Sequence, residues 1–306
     1  MRGQFVFLIA TIAAVLGFPV AQAESQVTVE ARLAPGQPTA IMAHRSAEIG
    51  GLPENSLAWI EGAIARGVDL VHINPQLTAD DRYILMHDHS LNRMTNVVDV
   101  FPDGPPNGPT REQRGGKDYV RDYTLAEIKK LQLVTDDEGA SHPVPTLQEA
   151  LDLAEGRVLV AIGLKSYEVE SLARALEGHD KRTLLLWELF YSGTDQSKLK
   201  AATDATGIGA VVVLFRSRDY LADLEQIVGQ MGTDLRMISV VSAGLTPSFL
   251  DRMTALGLPL MISGWNGPED RALLNEADIA PWKAALEVGL VASTDYPELL
   301  LYALGR

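Results

Sequence analysis

The chain contains no cysteine, which removes disulfide scaffolds, zinc ribbons and thiol nucleophiles from consideration. It is short of positive charge, with 26 Lys and Arg against 40 Asp and Glu and a net charge of −14. Such a surface repels phosphate backbones and argues against nucleic acid as a partner. After the first two dozen residues no apolar run approaches the ~20 residues that span a bilayer. What remains is ordinary globular composition, 46% hydrophobic and 22% charged over 306 residues. That rules out disorder, collagen-like repeats and coiled coil.

Residues 1–23 read as a secretory signal. Arg2 supplies the positive region, Phe5 to Val15 the short apolar stretch, and Ala21-Gln22-Ala23 the small-x-small cleavage pattern. Pro19 breaks the run before it could anchor the chain. Cleavage after Ala23 is expected, leaving a periplasmic or secreted protein with no stable membrane anchor. The lack of cysteine agrees with a bacterial periplasm. Residues 24–38, polar and containing Pro and Gly, read as a lead-in arm to one domain over 39–306.

Within that domain short Val/Ile/Leu-rich runs alternate with helical patterns. Nine runs qualify as strands: Ala40–Ala43, Val68–Ile73, Tyr83–Met86, Val158–Leu164, Thr183–Leu189, Ala210–Phe215, Met237–Val241, Leu258–Ser263 and Leu290–Ser293. They lack strict alternation, as strands buried on both faces should. Thr124-Leu-Ala-Glu127 and Thr146-Leu-Gln-Glu149 are capping boxes, and Pro247 and Gly257 bracket another helix. Repeated strand–helix units imply parallel strands with right-handed crossovers. The expected fold is an α/β (β/α)8 TIM barrel with one of the nine runs accessory, Met237–Val241 being the first choice. An open doubly wound sheet is the alternative, but no Gly-x-Gly-x-x-Gly follows the first strand. Asp99–Asp122, with four prolines and four glycines, breaks the alternation. It reads as an insertion after the third strand, unable to form a core, and either a lid or pocket wall above the barrel mouth or a floppy loop.

Strand ends at the C-terminal side of a barrel carry the chemistry. Read in order they offer His44-Arg45, then Glu54-Asn55 in the following loop, His72 and Asn74, His87-Asp88-His89, and Lys165. Four of the 6 histidines fall here. Two imidazoles titrate near neutrality and supply an acid/base pair, which points to His44 and His87. Arg45 and Lys165 add fixed positive charge for an anion such as a phosphate. His89, His142 and His179 read as surface residues.

These residues resemble the glycerophosphodiester phosphodiesterase family, part of the phospholipase C-like phosphodiesterase barrels. The blocks, in family order, are Ala43-His44-Arg45, Glu54-Asn55-Ser56, Gly67-Val-Asp-Leu-Val71, Leu77-Thr78 and Leu85-Met86-His87-Asp88. They continue with Leu91-x-Arg93-x-Thr95, Pro145-Thr146-Leu147-x-Glu149, Trp265-Asn266 and Thr294-Asp295-Tyr296-Pro297. The resemblance implies an eight-stranded barrel with a small insertion and a phosphoric diester hydrolase of lipid metabolism acting on a small phosphodiester. It implies His44 and His87 as catalytic residues and Arg45 and Lys165 as phosphate contacts. In the family a substrate hydroxyl attacks phosphorus, one histidine acting as base and the other protonating the leaving alkoxide. A divalent cation, Ca²⁺ or Mg²⁺, polarises the phosphate.

The family's cation ligands are largely replaced here. Glu54 is retained, but the Glu-x-Asp of the second strand is His72-Ile73-Asn74, and Gly163 stands where a further Glu belongs. Hard cations need several anionic oxygens. Three outcomes follow: Glu54 with His72 and Asn74 holds a softer cation such as Zn²⁺ or Mn²⁺; no metal is used; or catalysis is lost. The last is the competing reading, a non-catalytic or differently catalytic binding protein for a phosphorylated or polyol ligand.

Overall fold

A computed structural model describes residues 27–34, 36–135 and 140–306; the expected secretory signal lies outside the described residues. Eight parallel strands close a barrel: β1 (Ala40–Ala43), β2 (Leu70–Ile73), β5 (Leu159–Gly163), β6 (Leu184–Phe190), β7 (Ala210–Leu214), β8 (Leu235–Val240), β9 (Leu260–Ser263) and β10 (Val291–Thr294). The remaining two, β3 (Pro75–Leu77) and β4 (Tyr83–Leu85), form a separate antiparallel hairpin. The run expected to be accessory, Met237–Val241, is therefore a barrel strand, and Tyr83–Met86 is the accessory one. The reason is length. Residues 78–82 turn the chain back on itself, whereas a parallel crossover needs a dozen or more residues.

Helices form at the caps read from the sequence and at others that reading did not name. Ser56 caps Leu57–Ala65 through the Trp59 amide, and both Thr–Glu capping boxes close reciprocally. Thr246 and Pro247 start the helix that ends at Gly257, whose φ of 63° only glycine adopts without cost.

Two layers of core result. Between strands and helices lie residues such as Ile41, Ile73, Ile162, Phe190, Phe249 and Trp282, all buried. Inside the barrel Met42, Leu70, Trp187, Val211, Met237 and Met261 interdigitate. The lead-in arm packs against this inner layer through Val27, Val29 and Leu33, and Arg32 pins it by an ion pair to Asp69 at 2.7 Å.

The stretch between β2 and β5 holds a third, smaller core of Ile84, Met86, Leu91, Val97, Tyr123, Ile128, Leu131 and Val144. Phe101 and Val120, from within Asp99–Asp122, are buried in it. The expectation that this segment has no core fails there: its few apolar residues are spent on a core supplied mainly by its neighbours. His87 thus comes from the extension inserted between β2 and β5, not from a barrel strand.

Candidate active site

The pairing of β1 with β10 builds the first half of the site. Ala43 lies opposite Thr294, and the His44 amide donates to the Thr294 carbonyl at 3.0 Å, so Asp295 is brought beside His44. His44 Nδ1 lies 2.8 Å from Asp295 Oδ1, and the Ser46 hydroxyl donates to the same oxygen at 2.7 Å. A carboxylate only accepts, so Nδ1 carries the proton and Nε2 is the basic edge of the ring. Burial lowers the His44 pKa against the opposing pull of Asp295, which keeps the ring neutral. Asp270 locks this wing by accepting from the Thr294 hydroxyl and the Asp295 amide, and burial pushes its pKa up to about 6. His44 is only 4% exposed, because the Trp265 ring stacks on it with centroids 4.3 Å apart.

The second half hangs on the extension. His87 Nδ1 lies 2.7 Å from Asp88 Oδ1, and its Nε2 lies 2.6 Å from Lys165 Nζ. Asp88 only accepts and an ammonium only donates, which fixes a neutral ring with Nε2 accepting. Burial lowers the His87 pKa to about 4 and, with Arg45 nearby, the Lys165 pKa to about 8. The His87 side chain is 23% exposed.

A chain of ion pairs joins the halves. Arg45 donates to Glu54 Oε2 at 2.7 Å, Arg93 to Glu54 Oε1 at 2.5 Å, and Arg93 again to Asp88 Oδ2 at 2.6 Å. Arg93 holds the Asp88 carboxyl well below the usual carboxylate range. The loop that carries Glu54 is set by Asn55, which adopts a left-handed φ of 60° and accepts the Asn74 amide at 2.9 Å. Arg45 and Glu54 act electrostatically on both histidines, which places the two rings in one electrostatic field.

The residues standing where the resemblance implies cation ligands are tightly packed. His72 and Asn74 are 1% and 0% exposed, and Asn74 Nδ2 sits 3.3 Å from His72 Nε2. A Cβ on Gly163 would meet His72 Nε2 at 2.2 Å and Asn74 Nδ2 at 2.3 Å. The imidazole and amide thus fill the space a glutamate at 163 would need. Burial holds the His72 pKa well below its ordinary value, so it adds no charge. Among the described residues no three His, Cys, Asp or Glu are grouped to hold an ion. One carboxylate already shared by two guanidiniums does not suit a hard divalent cation.

Arg45, Glu54, Arg93, Asp88, His87 and Lys165 form one continuous hydrogen-bonded chain, and His44 directly precedes Arg45 at the end of β1. His89 is exposed, as expected. Five residues that sequence reasoning left without roles complete the site: Ser46, Asp88, Arg93, Trp265 and Asp295. Asp88 and Ser46 could have been suspected as carboxylate and hydroxyl neighbours of the histidines, and Arg93, Trp265 and Asp295 stood in the blocks quoted for the resemblance.

The comparisons with known proteins agree with this geometry. The sequence profile of the Glycerophosphoryl diester phosphodiesterase family matches residues 44–281. A glycerophosphodiester phosphodiesterase of Caldanaerobacter subterraneus is 29% identical over 172 residues, covering 53% of this chain and 63% of that protein. One from Bacillus altitudinis is 31% identical over 129 residues, 42% of this chain and 44% of that protein. The chain thus spans under two thirds of the curated relatives it matches. Among solved structures, a Parabacteroides distasonis glycerophosphoryl diester phosphodiesterase superposes with a TM-score of 0.67 at 20% identity, covering 89% of this chain and 88% of that one. A phosphodiesterase of Oleispira antarctica, in complex with the product sn-glycerol-3-phosphate, gives 0.64 at 20% identity, covering 87% and 97%. Matched over most of its length by the family profile and folded as these barrels are, the chain belongs to the glycerophosphoryl diester phosphodiesterase family.

Proposed function

We propose that the protein is an exported phosphodiesterase that hydrolyses glycerophosphodiesters with His44 and His87 and needs no tightly held divalent cation. The observation that carries this reading is the pair of forced tautomers. His44 presents a neutral, proton-accepting Nε2 backed by Asp295, while His87 receives a proton-bearing ammonium from Lys165. His44 takes the proton of a glycerol hydroxyl as that oxygen bonds to phosphorus, and the bond from phosphorus to the leaving alcohol breaks. His87 has no proton on Nε2 to give, so the leaving oxygen is protonated from Lys165, directly or relayed through His87. Water then opens the cyclic phosphate with the two sides exchanging roles.

The family is typically divalent-cation dependent. Here three cations, Arg45, Arg93 and Lys165, stand among the carboxylates of Glu54, Asp88 and Asp295, and Lys165 pairs with no carboxylate among the described residues, which leaves its ammonium for a phosphodiester monoanion. Arg45 Nε is buried without a partner, an unmet donor on the guanidinium that pairs with Glu54. These features support catalysis by guanidinium and ammonium groups in place of a Lewis acid. The product sn-glycerol-3-phosphate of the Oleispira enzyme supports the same substrate class.

Release of sn-glycerol-3-phosphate from glycerophosphocholine and glycerophosphoinositol by purified protein, and its loss in His44→Ala and His87→Ala, is the expected result. An inert wild-type protein, or a fully active His87→Ala, refutes the proposal. The Trp265 ring over His44 favours one second reading, a binding protein for a phosphorylated ligand; that reading predicts thermal stabilisation without turnover. Export is tested by mass spectrometry of periplasmic protein, where a chain beginning at Glu24 is expected.

A further inference from the structure

Beyond the phosphate clamp, an aromatic shelf leads away from His44. Trp265 stacks on His44; Phe215 lies parallel to Trp265 with centroids 6.1 Å apart and 9° between planes; Tyr191 meets Phe215 edge-on at 5.6 Å. A cavity of about 200 Å³ opens beside the shelf at the ends of β7 and β9, lined by Phe215, Arg216, Tyr220, Ser263, Trp265 and Asn266 among others. That volume falls below the ~300–1,000 Å³ of drug-sized sites, room for one small ring.

The electrostatics of the cavity choose between ligand classes. Aromatic faces with nearby carboxylates bind quaternary ammonium groups. Among the described residues no carboxylate lines the cavity, and the Arg216 guanidinium, 5.2 Å from the Phe215 ring centre, repels a cation there. Arg216 forms no ion pair among the described residues, although the chain carries an excess of acids. It also holds a left-handed φ of 56°, a conformation a non-glycine residue keeps only where its surroundings impose it. The result is a flat apolar floor with unpaired donors at its rim.

We infer that this cavity receives a cyclic polyol, a cyclitol or sugar ring esterified to the phosphate, and disfavours choline-like cationic groups. The C–H face of such a ring packs on Trp265 beside the Phe215–Arg216 pair while its hydroxyls meet Arg216 and Asn266. This rests on the phosphate-binding half of the proposed function and adds the substrate class.

Calorimetric titration with myo-inositol 1-phosphate, glycerol 3-phosphate and phosphocholine tests it directly, alongside turnover of glycerophosphoinositol and glycerophosphocholine. Myo-inositol 1-phosphate should bind about tenfold tighter than phosphocholine, the yield of one stacked face and one added hydrogen bond. Arg216→Ala and Phe215→Leu, the latter keeping bulk while losing the flat face, should remove most of that ratio and move glycerol 3-phosphate less than about twofold. Equal or tighter binding of phosphocholine, or variants that weaken all three ligands alike, overturns the inference. Preference for the inositol ligand without any turnover keeps it while removing the hydrolase; turnover with no preference does the reverse.

Discussion

His44 and His87 carry the same ring in opposite surroundings. His44 is rooted in the barrel, held by Asp295 from the neighbouring strand, roofed by Trp265 and almost sealed from solvent. His87 rides on the extension, half open, with a carboxylate at one nitrogen and an ammonium at the other. In each case partners that can only accept or only donate dictate where the proton lies. The difference teaches why the proposed mechanism gives the wings unlike tasks, the barrel side accepting a proton and the extension side supplying one.

The strongest way to break this asymmetry is to remove each ring. His44→Ala and His87→Ala should each lower kcat/KM by about 10²–10⁴-fold, the range for a positioned acid or base. Steady-state kinetics with a glycerophosphodiester measure this, and equal, small losses would erase the distinction. Lys165→Met should cost about 10²-fold and also change the pH profile. In the unaltered protein activity should fall above about pH 8 as Lys165 loses its proton, and below about pH 4 as His87 gains one beside it. Lys165→Met should abolish the alkaline limb, whereas a purely structural lysine would leave its position unchanged.

Smaller effects sharpen the contrast at the bridge between wings. Arg93→Ala frees both Glu54 and Asp88 and should reduce kcat/KM about tenfold, with urea denaturation midpoints showing little loss of stability because Arg93 is 46% exposed. Gly163→Glu should destabilise the fold by about 1–3 kcal/mol, since its Cβ has no room beside His72 and Asn74. Adding His72→Glu and Asn74→Asp should relieve the clash and give a protein whose thermal midpoint rises with Ca²⁺, read by scanning calorimetry.

The barrel was legible because parallel strands write themselves as apolar runs and helices announce their caps, as at Thr124, Thr146 and Pro247. Rank among the strands was not. Tyr83–Met86 is as apolar as a barrel strand, and only the short turn before it marks a hairpin. Of the site, the two histidines, Arg45, Glu54 and Lys165 were visible as types at strand ends. Their pairings were not, because Asp295 reaches His44 across the barrel's closing seam, 251 positions along the chain. The altered cation ligands were legible as single replacements. That His72 and Asn74 fill the space Gly163 leaves is a fact of packing, visible only once β2 and β5 are side by side.

Catalysis without a resident cation is the claim on which the account turns, and chelation tests it most directly. The rate of sn-glycerol-3-phosphate release should be measured on protein exhaustively treated with EDTA, then with Ca²⁺, Mg²⁺, Mn²⁺ or Zn²⁺ restored. The account predicts a rate unchanged within about twofold throughout; a rate that vanishes on chelation and returns with one of these ions would contradict it.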